Sequence, residues 1–160
     1  MSGTVTLNSV NLASATAATA FSGVTVGGTP SGSFTGTFGD VVSWSGFSWP
    51  GGSASPLWSF TAGGLTYTFN LANDYVSQQT STFLNLLGNG TLDITGGSSS
   101  YTPTAASWSF TISNPTGGAH PNFNFTFANS QVSVPDGAAT AMLLGIALSS
   151  LALLRKKLTA

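Results

Sequence analysis

Cysteine and glutamate are absent from this chain, and histidine occurs once, as His120. Without cysteine there are no disulfides, thiolate metal sites or Cys nucleophiles, and the redox compartment is left undetermined. With one histidine and no glutamate, most hydrolytic and metal chemistry has no groups to run on. Charge is scarce as well. Lys+Arg number 3 and Asp+Glu 4 in 160 residues, 4% of the chain, against roughly 25% in ordinary soluble domains. A net charge of −1 gives no footprint for a nucleic-acid binder, because phosphate contacts need clustered Lys and Arg. Hydroxyls stand where charge is missing: 24 Ser and 22 Thr, with 20 Gly and 11 Phe. The length suits one domain better than two.

The few charges are unevenly placed. Residues 1–134 carry Asp40, Asp74 and Asp93; the last 26 residues carry Asp136, Arg155, Lys156 and Lys157. Between these charged edges runs Ala138 to Leu154, AATAMLLGIALSSLALL, 17 residues without a charge. That is close to the lower length for a helix crossing a hydrocarbon core of about 30 Å. Thr140, Ser149 and Ser150 can return their hydroxyls to the helix's own carbonyls. The apolar residues run all round the helix and three cations follow at once, so a membrane segment is expected rather than an amphipathic soluble helix. The positive-inside tendency places Arg155-Lys156-Lys157 in the cytoplasm and residues 1–134 outside it.

Before residue 135 the pattern is that of strands. Two-residue alternation appears at Val5/Leu7, Phe34/Phe38, Val42/Trp44, Trp58/Phe60, Leu65/Tyr67/Phe69/Leu71, Leu92/Ile94, Trp108/Phe110/Ile112 and Phe123/Phe125/Phe127. Ser, Thr and Asn fill most intervening positions, as in strands with one packed and one wet face. Breaks are expected at Gly27-Gly28, Pro30, Trp49-Pro50-Gly51-Gly52, Gly63-Gly64, Gly88-Asn89-Gly90, Gly96-Gly97 and Pro115 to Pro121. The spacing predicts an all-β, sandwich-like domain of about nine or ten antiparallel strands over residues 1–133. Trp58-Ser59-Phe60-Thr61 recurs as Trp108-Ser109-Phe110-Thr111. Tyr67 to Asn73 is echoed by Phe123 to Asn129. Two hairpins in equivalent places of one core account for this better than a duplicated binding unit, and two copies are too few for a solenoid.

Chemistry in the β region is thin. A nucleophilic triad needs a base beside the nucleophile and a group to orient the base, and His120 sits in a turn signature, Gly117-Gly118-Ala119-His120-Pro121. Asp40, Asp74 and Asp93 follow no calcium-loop spacing, and a glycosidase pair, which would have to come from these same three residues, is not expected. No catalytic residue, cofactor or metal site is expected. Trp44-Ser45-Gly46-Phe47-Ser48-Trp49-Pro50 packs three rings into six positions. Of the three, Trp49, beside Pro50 in a turn, is the candidate to face solvent and stack on a sugar; that it closes one end of the sandwich is the favoured reading. Asn89-Gly90-Thr91 and Asn124-Phe125-Thr126 match glycosylation sequons. Sparse charge also leaves sheet edges unprotected, which raises self-assembly through those edges.

The order at the end of the chain is a short polar motif, Val134-Pro135-Asp136-Gly137, an apolar span at 138–154 and a basic cluster at 155–157. Pro135 stops the last expected strand, Gln131 to Val134, and Asp136 can cap the helix that follows. This layout resembles the PEP-CTERM sorting signals of Gram-negative bacteria, with Val-Pro-Asp in place of the usual Val-Pro-Glu-Pro box. The WSFT hairpins and Gly90-Thr91-Leu92 look like parts of short PEP-CTERM surface proteins. The resemblance implies recognition and processing of residues 134–160 by an exosortase, a membrane-embedded Cys transpeptidase. It also implies release to the cell surface or matrix, where exopolysaccharide is the expected partner. Exported proteins of that family carry a cleavable signal, whereas residues 1–25 show neither a basic n-region nor an unbroken apolar stretch. The expectation is a start downstream of the native one. Sequence alone therefore points to a non-catalytic, exported surface or matrix protein, with an envelope-anchored carbohydrate-binding module as the alternative.

Overall fold

A computed structural model of the chain describes residues 1–98, 101–114 and 120–128. These residues form nine strands: β1 Ser2–Leu7, β2 Ala17–Thr25, β3 Ser43–Trp44, β4 Phe47–Ser48, β5 Ala54–Ala62, β6 Leu65–Gln79, β7 Phe83–Gly96, β8 Thr104–Ser113 and β9 Asn122–Ala128. Two short 3-10 turns, Leu12–Ser14 and Gly32–Phe34, interrupt them. Among the described residues no helix is long and apolar enough to cross a membrane. The span at 138–154 expected to do so lies outside them, as do the motif at 134–137, the cations at 155–157 and the strand expected at Gln131 to Val134.

All the strands belong to one antiparallel sheet in the order β3-β5-β6-β7-β8-β9-β1-β2-β4. Its first and last members, β3 and β4, are separated in the chain by Ser45 and Gly46 alone. A flat sheet of this width would hold its edges on the order of 40 Å apart. The three Cα steps from Trp44 to Phe47 reach about 11 Å at most. The sheet therefore curls until its edges meet, and its inner faces oppose one another as in a sandwich.

The inner face is aromatic. Trp44 meets Phe125 edge-on with ring centroids 5.0 Å apart and lies 4.9 Å from Phe21. Trp58 on β5 meets Phe127 on β9 at 5.7 Å, also edge to face. Trp58, Phe69, Phe110 and Phe123 are fully buried. The two Trp-Ser-Phe-Thr segments do lie in separate hairpins that feed this one core. Trp58 pairs with Phe69 and Phe60 with Tyr67, whereas Trp108 pairs with Phe127 and Phe110 with Phe125. Relative to the sequence echo the second register is displaced by two residues, which keeps every ring on the inner face.

Three expected features are corrected. Gly88-Asn89-Gly90 is not a break: it lies in the middle of β7. A Cβ on Gly88 would run into the Asn73 carbonyl and the Trp108 indole, and one on Gly90 into the Asn70 carbonyl and the Phe69 ring. The glycines make room for neighbours packed over the strand, so they do not turn it. Phe34 and Phe38 share no strand. Phe34 ends a 3-10 turn and closes over Tyr67 at 5.1 Å, while Phe38 is 70% exposed. Val42 is buried but precedes β3, which begins at Ser43.

Candidate functional site

Because apolar side chains take the inner face, Ser, Thr and Asn are left for the outer one. Across β7, β8 and β9 this produces rows of small polar groups in register. Asn85 pairs with Thr111 and Thr111 with Asn124, and in another row Asn89 pairs with Ser107. Ser109 Oγ donates to Asn85 Oδ1 at 3.1 Å.

Among the described residues one largely exposed aromatic ring, Tyr75, stands on that face; Phe83, at the start of β7, shares the face but is half-buried. Strict alternation along β6 from Leu65, Tyr67, Phe69 and Leu71 would turn Tyr75 inward. Instead the register slips between Leu71 and Asn73, so that Leu71 faces Gly90 and Asn73 faces Asn89. The extra residue, Ala72, forms a bulge that reverses the faces beyond it. Tyr75 is thereby 56% exposed and Asp74 is buried at 5%. Tyr75 pairs with Leu87, Leu87 with Ser109 and Ser109 with Thr126, one row across four strands. A shallow groove of about 490 Å³ follows this row and also takes in Asn89 and Ser107. No residue lining it carries a formal charge.

Behind the groove, Asp74 anchors a turn. Its Oδ1 accepts hydrogen bonds from the Gly51 and Gly52 N–H groups at 2.7 and 3.1 Å. Burial pushes its carboxyl above the ordinary range, opposed by those two N–H groups. The same anchor draws the Trp49-Pro50-Gly51-Gly52 turn against the sheet. Trp49 is only 3% exposed, packs on Phe47 at 5.7 Å and donates its backbone N–H to the Thr16 carbonyl. The candidacy of Trp49 for glycan stacking is therefore corrected: the ring belongs to the core. Tyr75 is the exposed ring that sequence reasoning missed, and the only signal for it was an Asn-Asp pair interrupting an apolar alternation.

The other sequence candidates stay apart. His120 Nδ1 lies 3.0 Å from Thr6 Oγ1 at an exposed position. Among the described residues no carboxylate is bonded to that imidazole, so the pair lacks the orienting group a triad needs. Asp40 lies in the loop after Phe38, Asp74 is buried and Asp93 sits on β7 opposite Thr68. Among the described residues no three His, Cys, Asp or Glu side chains come close enough to hold a metal ion. Asn89 and Asn124, the two sequon asparagines, are both exposed on the outer face. No protein-family model, curated protein or solved structure matches the chain.

Proposed function

We propose that this chain is a non-catalytic, exported surface or matrix protein whose C-terminal tail sorts it and whose β-domain is the part displayed. The observation that carries the reading is the order of the tail: Val134-Pro135-Asp136-Gly137, the uncharged span at 138–154, then Arg155-Lys156-Lys157. An anchor needs an apolar span and a cationic stop; a tail read by an exosortase-like transpeptidase also needs a motif at the outer membrane face, which is where the positive-inside tendency puts residues 134–137. The isolated Asp residues and the Thr6–His120 pair favour display over catalysis.

A neutral exopolysaccharide matrix is the setting that suits this surface. A hydroxyl- and amide-covered sheet offers donors and acceptors that suit sugar hydroxyls, and its strands carry no Lys or Arg to receive an acidic chain. The test is fractionation and intact mass of the protein from its native gene start in its own host. A surface or medium form ending near residues 134–137 is expected. Full-length protein held in the inner membrane through 138–154 would make the tail a plain anchor and sink the sorting reading. Replacing Pro135 and Asp136 with Ala should convert the released form into the retained one.

A further inference from the structure

We infer that the outer face of β6–β9 around Tyr75 is a binding site for a neutral polysaccharide. The inference names a partner for the displayed domain, and it rests on the matrix reading only for where that partner is met.

The bulge at Ala72 is the first argument. It turns an aromatic ring out and a carboxyl group in, the reverse of what burial favours for these side chains. Asp74 finds its inward partners in the Gly51 and Gly52 N–H groups, whereas the Tyr75 ring is left 56% exposed; exposed aromatic rings of this kind are where a fold meets a partner. The surroundings specify what it meets. Of the exposed large apolar side chains described, Val10, Phe38 and Val41 lie in loops, whereas Tyr75 stands on a regular strand. Asn89, Ser107 and Thr126 beside it are exposed. Among the described residues their side chains have no hydrogen-bond partner, so their donors and acceptors remain available to a ligand.

A pyranose has an apolar C–H face and a rim of hydroxyls. The Tyr75 ring fits the face, and the amide of Asn89 with the hydroxyls of Ser107 and Thr126 fits the rim. The groove crosses β6 to β9, so that its length is on the order of 14 Å, enough for about three sugar units. Its lack of charge selects against anionic ligands, which would bring carboxylates or phosphates to a surface with no cation to receive them.

The test uses the full-length chain in detergent micelles, run through native gels containing galactomannan, xyloglucan, dextran or, as the anionic comparison, alginate. At least one neutral polymer should retard the protein and alginate should not. Tyr75→Ala should lower that affinity about tenfold and Ser107→Ala about threefold. Tyr75→Phe should stay near wild type, and so should Phe38→Ala, which removes an exposed ring away from the groove. Unchanged urea midpoints establish that the variants fold. Indifference to all three neutral polymers overturns the inference, as does undiminished binding by Tyr75→Ala or a loss confined to Phe38→Ala. Failed tail processing would leave these affinities untouched, so the two readings fail separately.

Discussion

At Asp74 two opposing effects act on one carboxyl group. Burial disfavours its charged form, and the Gly51 and Gly52 N–H groups favour it; burial is the larger, and the folded pKa lies above the ordinary value of 3.8. The folded chain thus holds this proton more tightly than the unfolded chain does. Its contribution to stability is fully present below the unfolded pKa and is lost as pH rises through the raised folded one. The difference in urea midpoint between wild type and Asp74→Asn should accordingly shift against wild type as pH is taken from below 3.8 towards neutral. A difference that stays flat with pH would disprove the assignment. Gly88 offers a second residue-level test. Its missing Cβ is the space taken by the Asn73 carbonyl and the Trp108 indole, with the Trp108 Cε2 2.8 Å from where that atom would sit. Backbone cannot swing aside as a side chain can, so Gly88→Ala should cost about 1–3 kcal/mol in chemical denaturation. Gly27→Ala, whose Cβ would first meet Ser2 Oγ at an ordinary 3.7 Å, should stay within about 0.5 kcal/mol of wild type.

Among the elements, the β5–β6 hairpin is the most legible from its chain. Gly63 and Gly64 join Ala62 to Leu65 with φ of +57° and +79°, as a two-residue turn matched to strand twist requires. Asn tolerates that backbone and a β-branched residue does not. Gly63→Asn should therefore be nearly neutral, while Gly63→Val should lose about 1–2 kcal/mol in urea denaturation. Glycine pairs read correctly here and wrongly at Gly88 and Gly90 for one physical reason. A glycine can serve positive φ or close approach, and the second depends on partners distant in sequence, Phe69 and Trp108. Bulges are equally opaque to local pattern. Asn73-Asp74 interrupt the apolar alternation but do not say which residue will be left unpaired; the register of β7 opposite decides that it is Ala72. Gln79 at the end of β6 shows the same dependence, since its Nε2 donates at 2.7 Å to both the Leu12 and Ala15 carbonyls.

For the whole molecule, closure rests on the segment from Asp40 to Ser48. Trp44 and Ser43 pair with Trp58 and Ser59 on β5; Phe47 and Ser48 pair with Ala18 and Ala17 on β2. The Val42 N–H reaches the Val24 carbonyl at 2.9 Å. Both sheet edges are thus partly covered by one stretch of chain, and Pro56 removes a donor from the part of β5 left open. This covering answers the edge exposure raised by the low charge. Trp44 is the pivot, touching Phe21, Phe110, Phe123 and Phe125. Trp44→Ala should cost about 3 kcal/mol or more and release the edges, read as a lower urea midpoint together with light scattering that grows with concentration. Phe38→Ala, which removes an exposed ring, should do neither.

Periodicity and turn residues were enough by themselves to determine an all-β domain and most of its aromatic core positions, Phe38 excepted. Each depends on neighbours a few residues apart, where alternation and glycine act locally. Tertiary structure alone decided that one sheet curls shut through Ser45-Gly46, that Trp49 is buried and that Tyr75 is exposed. These outcomes depend on register between strands, and a one-residue slip at Ala72, invisible locally, exchanges the inner and outer faces of everything that follows it until the next slip.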